Sequence, residues 1–573
     1  HTLAVMPTGS GKSLCFQVAA LARPGLTIVV SPLVALMDNQ VAALELAGVA
    51  AVAIHSGRPR AENVATWHRV KAGEVTLLYM SPERLMTGPM LRALAALPVA
   101  LFVVDEAHCI SQWGHSFRPE YRALERLRSL FPGVTIGAFT ATADAVTRDD
   151  IVERLFGGPA RLHVAGFDRP NIRLAVEPRD GIRRQLQAFV AERAGQCGIV
   201  YCLSRQGTED MAAMLADAGH KALAYHAGLE AGDRASKLER FVTEPGIVMV
   251  ATIAFGMGID KPDVRYVAHA NLPATIEAYY QEIGRAGRDG ASAEARLFFG
   301  LGDIRTRRMF IEESDAAEEV KRVERRRLDA LVAYCEAVEC RRVALLAYFG
   351  EEIAPCGNCD VCLSPPTLVD GTVLGQKILS TVLRTGQRFG AGHVVDSLTG
   401  RATEKIAASS HDQLSTFAIG ADRKGSEWRA VIRQLVASGY LETDIGGYGV
   451  LSVTERGRRL LRGEDTLRLR EDGRGRAGGR SRRELKKAET LADEAAQGLL
   501  QRLKETRLRL ARERGVPPYV IFHDTTLIEL ARRRPATRDA FAEIPGVGAS
   551  KLRDFAEPFL AAIVSYSSET GKI

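Results

Sequence analysis

The run Met6-Pro7-Thr8-Gly9-Ser10-Gly11-Lys12-Ser13 most tightly constrains what this chain can fold into. It follows the apolar Thr2-Leu3-Ala4-Val5, which reads as the inside of a strand, and it precedes a helical segment. Strand, glycine-bearing loop and helix in that order belong to a parallel α/β sheet. Gly9 and Gly11 let backbone N–H groups curl around a phosphate, with Thr8 and Ser10 in the same cradle. Lys12 reaches the terminal phosphates, and Ser13 offers its hydroxyl to Mg²⁺. Met6 stands where the usual phosphate loop begins with Gly.

The first three hundred residues repeat this alternation of short apolar runs and helical stretches. Strands are expected at Leu26–Ser31, Val75–Met80, Ala100–Asp105 and Thr135–Thr140. A second series is expected at Gly198–Cys202, Ala222–His226, Gly246–Thr252 and Tyr266–His269. Two series imply two doubly wound lobes, over residues 1–167 and 168–314, joined at Phe167-Asp168-Arg169-Pro170-Asn171. A charged helical stretch and a Cys/Gly/Pro-rich segment fill 315–366, and a small mixed domain spans 367–464. A basic Gly/Arg-rich linker covers 465–493 and a helical tail 494–573. At 573 residues the chain is too long for one core, and its opening at His1, already inside strand-like sequence, predicts a fragment of a longer protein. No apolar run approaches the roughly 20 residues that span a bilayer, so no membrane partner is expected. The net charge is +7, and Thr466–Val520, with 15 basic and 8 acidic residues, supplies all of it. That arm is either a solvated linker or a phosphate-attracting one.

Leu101-Phe102-Val103-Val104-Asp105-Glu106-Ala107-His108 ends a buried strand in two acids. Asp105 is placed to hold Mg²⁺ through water and Glu106 to polarise the attacking water, a pairing that reads as nucleoside-triphosphate hydrolysis. Phe139-Thr140-Ala141-Thr142-Ala143 is a hydroxyl-rich strand end suited to coupling nucleotide state to domain movement. In the second lobe, Gln281-Glu282-Ile283-Gly284-Arg285-Ala286-Gly287-Arg288 presents two arginines three apart, and a planar guanidinium binds phosphate bidentately. Cys340, Cys356, Cys359 and Cys362 follow C-x15-C-x2-C-x2-C. Four thiolates at that spacing suit a tetrahedral Zn²⁺, and an iron–sulfur cluster is the competing chemistry.

These motifs, in this order, resemble the RecQ helicases of superfamily 2. The phosphate loop, Asp105–His108, Thr140–Ala143, Val250–Arg265 and Gln281–Asp289 match that family's helicase motifs, and Met6 is a variation common among helicases. Cys109 to Tyr121 looks like its aromatic-rich loop, in which Trp113 and Phe117 would stack on bases and Arg118 would meet phosphate; the competing reading of the two aromatics is core packing. The resemblance covers essentially the whole chain, with bacterial RecQ the nearest form. It implies two RecA-like lobes, a zinc-binding helical module, a winged helix and a helical HRDC domain. It settles the cysteine set as structural Zn²⁺.

It further implies an ATP- and Mg²⁺-dependent 3′→5′ helicase acting on single-stranded and duplex DNA in recombination and repair. Catalytic roles fall to Lys12, Asp105, Glu106, Gln281, Arg285 and Arg288, with Arg288 as arginine finger. Ser31, Ser204, Arg205 and Thr252 occupy strand-end positions expected to touch the nucleic-acid backbone. Tyr448, at the tip of a hairpin within Tyr440–Thr454, would wedge against the terminal base pair or lie in an exposed turn. Tyr519 would contact DNA from the HRDC domain or pack. A bacterial, cytoplasmic, nucleoid-associated monomer that meets a single-stranded-DNA-binding protein through the winged helix is the family-level expectation. The family's adenine-reading glutamine would lie upstream of His1, so adenine specificity rests on the resemblance and this stretch alone is expected to bind ATP weakly or not at all. An RNA helicase on the same motor and an ATP-independent DNA-binding or annealing scaffold are the rival readings. Intact Lys12, Asp105, Glu106 and Arg288 speak against the scaffold.

Overall fold

A computed structural model describes residues 1–32, 34–111, 118–255, 261–443, 450–470 and 494–570. Trp113, Phe117 and Tyr448 lie outside the described residues.

The first lobe is a seven-stranded parallel sheet. Its strands are β1 (Thr2–Val5), β2 (Leu26–Val30), β3 (Ala51–Ile54), β4 (Leu77–Met80), β5 (Val99–Val104), β6 (Thr135–Thr140) and β7 (Arg161–Val164), in the order β3-β4-β2-β5-β6-β1-β7. Helices cover both faces, which is why central strands such as Leu-Thr-Ile-Val-Val are apolar but for Thr27 and buried at every position. The order sets β5, β6 and β1 side by side. The acidic pair, the hydroxyl-rich stretch and the phosphate loop therefore emerge together at the carboxyl edge, where ligands of open α/β sheets bind.

The second lobe is a six-stranded parallel sheet ordered β10-β11-β9-β12-β13-β8. It comprises β8 (Ile172–Pro178), β9 (Gly198–Tyr201), β10 (Lys221–Tyr225), β11 (Ile247–Ala251), β12 (Tyr266–His269) and β13 (Ala293–Phe299). The expected joint at 167–171 falls between β7 and β8.

Helices Leu301–Glu313, Glu318–Glu336 and Arg341–Tyr348 follow, and the cysteines lie around and after the last of these. Next come helices Thr372–Arg384, Ala391–Thr399 and Gly425–Ala437, then the antiparallel pair β15 (Leu441–Thr443) and β16 (Leu451–Val453). β14 (Leu368–Asp370) pairs antiparallel with β17 (Arg468–Arg470), so the small domain continues past residue 464 into the stretch expected to be linker. Helix Gly425–Ala437 leaves Arg429 exposed but buries Arg433 against Glu336 of the preceding module, and Trp428 is fully enclosed, its Nε1–H donating to Gly420 O at 2.9 Å.

The C-terminal helices Glu494–Arg514, Asp524–Arg533 and Ala549–Thr570 enclose a separate core of Leu499, Leu503, Phe522, Leu527, Phe541 and Phe559. This unit rests on the first lobe, where Ser550 Oγ donates to Leu46 O at 2.7 Å. No helix among the described residues is long and apolar enough to cross a membrane.

Candidate nucleotide cleft and metal centre

The phosphate loop is shaped by its backbone. Gly11 holds φ 85°, in the left-handed region that glycine enters without cost, and caps the helix Lys12–Leu21. That helix therefore begins with free N–H groups aimed into the cleft, an anion site made by peptide dipoles. Lys12 and Ser13 line the cleft, and Gln40 Nε2 donates to Ser13 Oγ at 3.1 Å. Ser10 Oγ donates to Pro7 O at 2.7 Å and Thr8 Oγ1 to Gly284 O at 3.2 Å, so these two hydroxyls tie down the loop itself.

Across the loop, Asp105 is 5% exposed. Burial first, then the Glu106 carboxylate, pushes its pKa up to about 7, and Lys12 opposes the rise. Glu106 Oε2 is buried with no hydrogen bond and lies 3.4 Å from His108 Nδ1. Two crowded acids, one with an orphaned oxygen, beside a lysine and a serine hydroxyl form a donor set that fits Mg²⁺ carried by a triphosphate. Glu106 holds φ 49°, uncommon for a non-glycine residue.

The far wall comes from the second lobe. The helix Ile276–Ile283 is capped by Thr275, whose side chain accepts from Ala278 N–H, and it delivers Gln281 and the loop behind it to the cleft. Arg285, 6% exposed, and Arg288 both line it. Gln281 Nε2 donates to Thr142 Oγ1 at 2.9 Å, Thr142 N–H to Thr140 Oγ1 at 3.2 Å, and Thr140 Oγ1 lies 2.9 Å from His108 Nδ1. A polar chain thus runs from Glu106 to the second lobe through the hydroxyl-rich strand end.

The expected nucleic-acid residues are spread more widely. Arg118 Nη1 donates to Pro32 O at 3.3 Å and so joins the aromatic-rich stretch to the Ser31 loop. Ser31 directly follows β2, at the strand end, and is buried with its hydroxyl enclosed. Ser204 spends its side chain capping a helix, accepting from Gly207 N–H at 3.0 Å, while the neighbouring Arg205 is exposed. Thr252 sits half-buried just past β11. Tyr519 is half-buried and stacks on His523, with ring centroids 6.5 Å apart. Three contributors escaped sequence reasoning. Gln40 and His523 enter the cleft from distant segments and carry no local signal, whereas Arg169 was visible only as part of the joint.

The sulfurs of Cys340, Cys356, Cys359 and Cys362 all lie within 4.8 Å of one another, and Cys359 and Cys340 are 3.9 Å apart. A tetrahedron with Zn–S bonds of about 2.3 Å has edges of about 3.8 Å. An iron–sulfur cube binds each thiolate through a different iron and spreads its thiolates farther, so a single ion fits. Backbone N–H groups of Cys356, Asn358 and Cys362 donate to the sulfurs of Cys340, Cys356 and Cys359, each at 3.3 Å. Burial resists ionisation of Cys340, but N–H donors from Cys356 and Val343 together with the thiols of Cys356 and Cys362 outweigh it and bring its pKa down to about 7. The other five cysteines stand apart; Cys15 is exposed and Cys109, Cys197, Cys202 and Cys335 are buried.

Five family descriptions match consecutive parts of the chain. They are DEAD/DEAH box helicase (1–151), helicase conserved C-terminal domain (181–290), RecQ zinc-binding (301–363), RQC domain (365–477) and HRDC domain (496–563). An ATP-dependent DNA helicase RecQ of Haemophilus influenzae is 40% identical over 569 residues, covering 99% of this chain and 91% of the relative. Its counterpart in Pasteurella multocida is 41% identical, covering 98% and 88%. The Bacillus subtilis protein of the same name is 37% identical, covering 100% and 94%. With cleft, cysteine site and domain order all in agreement, the chain belongs to the RecQ family of ATP-dependent DNA helicases.

Proposed function

We propose that the chain hydrolyses ATP in the cleft between its lobes and uses the resulting lobe movement to advance along single-stranded DNA in the 3′→5′ direction, separating duplex or branched DNA in recombination and repair. The observation that carries this reading is the junction of the cleft itself. Lys12, Ser13, Asp105 and Glu106 come from one lobe, Gln281, Arg285 and Arg288 from the other, and Gln281 already reaches Thr142 across the gap.

Mg²⁺ bound with the triphosphate would neutralise charge on the β- and γ-phosphates. Asp105 and Ser13 would hold the metal and Lys12 the phosphates. Glu106 accepts a proton from the attacking water and orients it. Arg288, with Arg285 behind it, stabilises charge on the γ-phosphate as finger. Once the γ-phosphate leaves, the arginines lose their anion and the lobes can part. Zn²⁺, held by the four cysteines, would stabilise its module and take no part in turnover, because a Cys₄ set leaves no open position.

In this reading Trp113 and Phe117 stack bases, Arg118, Arg205 and Thr252 face the strand, Tyr448 parts the terminal pair, and Tyr519 adds a contact from the HRDC domain. The protein acts as a monomer in the bacterial cytoplasm, on nucleoid DNA, with a single-stranded-DNA-binding protein as partner of the winged helix. The testing experiment follows a labelled duplex with a 3′ or a 5′ single-stranded tail in the presence of ATP. Unwinding of the 3′-tailed substrate alone supports the polarity, and unwinding only from a 5′ tail refutes it.

A further inference from the structure

The two walls of the cleft lie 276 residues apart at their contact between Thr8 and Gly284, and one side chain belonging to neither wall bridges them. Arg169, in the joint between β7 and β8, donates through Nη1 to Thr8 O at 2.6 Å and to Gly284 O at 3.2 Å. Through Nη2 it donates to Ala286 O and Gly287 O, both at 2.9 Å. One planar fork thus satisfies a carbonyl of the phosphate loop together with three carbonyls of the loop that carries Arg285 and Arg288. Only a guanidinium has the donors and fixed geometry for this; an ammonium is a point charge that would hold one wall or the other. The arrangement tolerates an adverse interaction. Burial and the nearby positive charge of Arg288 both disfavour the charged form of Arg169, while Tyr280 and the Asp289 carboxylate oppose them.

The joint is itself anchored from behind. Arg342 of the zinc module pairs with Asp168 at 2.9 Å and also donates to Ile172 O. Glu351 accepts from Phe167 N–H, and Asn358, between the metal-binding cysteines, donates to Pro170 O at 3.2 Å. The segment that presents Arg169 is therefore fixed by a module with no residue in the cleft.

Resting on the ATP-hydrolysing reading above, we propose that Arg169 is a positioning residue that sets the separation of the phosphate loop from the arginine-finger loop, and that the zinc module holds the joint presenting it. Arg169 would act through Arg288 rather than on the phosphate.

The test uses the full chain with Arg169→Lys, Arg169→Ala, Arg288→Ala and the double variant Arg169→Lys/Arg288→Ala. ATP hydrolysis is followed with single-stranded DNA, under single-turnover conditions for the slow variants. Binding of a fluorescent ATP analogue with Mg²⁺ and thermal melting are measured alongside. The expected result for Arg169→Lys is a fall of about 10–100-fold in kcat, with analogue affinity changed by less than about threefold and melting unchanged. In the Arg288→Ala background the same substitution should alter the rate by less than about twofold, because its route is already cut. A wild-type kcat in Arg169→Lys overturns the proposal, as does an undiminished loss on top of Arg288→Ala. Affinity falling in step with kcat overturns it too. Should Arg169→Ala not fold, Arg169→Lys carries the test. A wild-type chain that hydrolyses no ATP would overturn the underlying reading, and this one with it; the other outcomes strike this proposal alone.

Discussion

Glu106 sits in the left-handed backbone region, immediately after a strand that ends in the buried Asp105. Such a conformation costs on the order of 1 kcal/mol and persists where surrounding structure enforces it. Here Asp105 Oδ1 accepts from Glu106 N–H at 3.0 Å, and the turn that follows buries Ala107 to Ile110. The strain aims the Glu106 carboxylate into the cleft. Glu106→Gln keeps the shape and removes the base, so ATP turnover should fall about 10²–10⁴-fold while analogue binding persists; single-turnover hydrolysis checks it.

Asp105 yields a pH prediction whose sign is opposite to the usual acid. Its pKa is raised to about 7 from 3.8, so between those values the native state binds more protons than the unfolded one. Stability of the metal-free protein should therefore fall as pH rises from about 4 to about 7, then level off. Asp105→Asn removes this slope. Its stability advantage over the parent should be near zero at pH 4 and reach at most about 4 kcal/mol at pH 8, read by denaturant unfolding without divalent cation. Binding of Mg²⁺ with nucleotide should strengthen over the same pH range, since the carboxylate is the ligand form.

Among the elements, the contact between the phosphate loop and the turn after helix Ile276–Ile283 leaves no room for a side chain. A Cβ on Gly284 would stand 2.0 Å from Thr8 Oγ1. Gly284→Ala should therefore push the walls apart and lower DNA-stimulated turnover by roughly tenfold. Adding Thr8→Ala, which removes the colliding oxygen, should recover part of the loss in the same steady-state assay. The motifs on either side of this contact were legible because each is a contiguous stretch whose chemistry is local. Central strands such as β5 and β6 were legible for a related reason, since burial on both faces favours an apolar run, all of β5 and the Ile136–Phe139 interior of β6. β7 was not, for Arg161–Val164 is an edge strand exposed at all four positions. β17 read as linker because Arg-Leu-Arg becomes a strand only by pairing with β14, about a hundred residues earlier. The burial of Arg433 was not legible either, because its partner Glu336 lies in another module.

At the scale of the whole molecule, the parts are joined by buried polar contacts as well as by apolar packing. Arg327 of the zinc module pairs with Glu277 of the second lobe at 2.8 Å and with Asp144 of the first at 3.3 Å. Tyr348 of the same module donates to Glu277. Metal loss should therefore be felt in the cleft. Cys359→Ser, or removal of zinc by chelation followed by return to excess Mg²⁺, is expected to lower the melting temperature of the first transition and to cut ATP turnover at least severalfold, although none of the four cysteines lines the nucleotide site. Melting and hydrolysis measured on the same chelated sample check both halves of that statement.

The central claim is that the two lobes form one DNA-responsive ATPase. It is tested most directly by ATP hydrolysis with and without single-stranded DNA, with Glu106→Gln as control. The account predicts hydrolysis strongly stimulated by DNA and abolished in the control. Hydrolysis indifferent to DNA, or absent with and without it, would contradict the account.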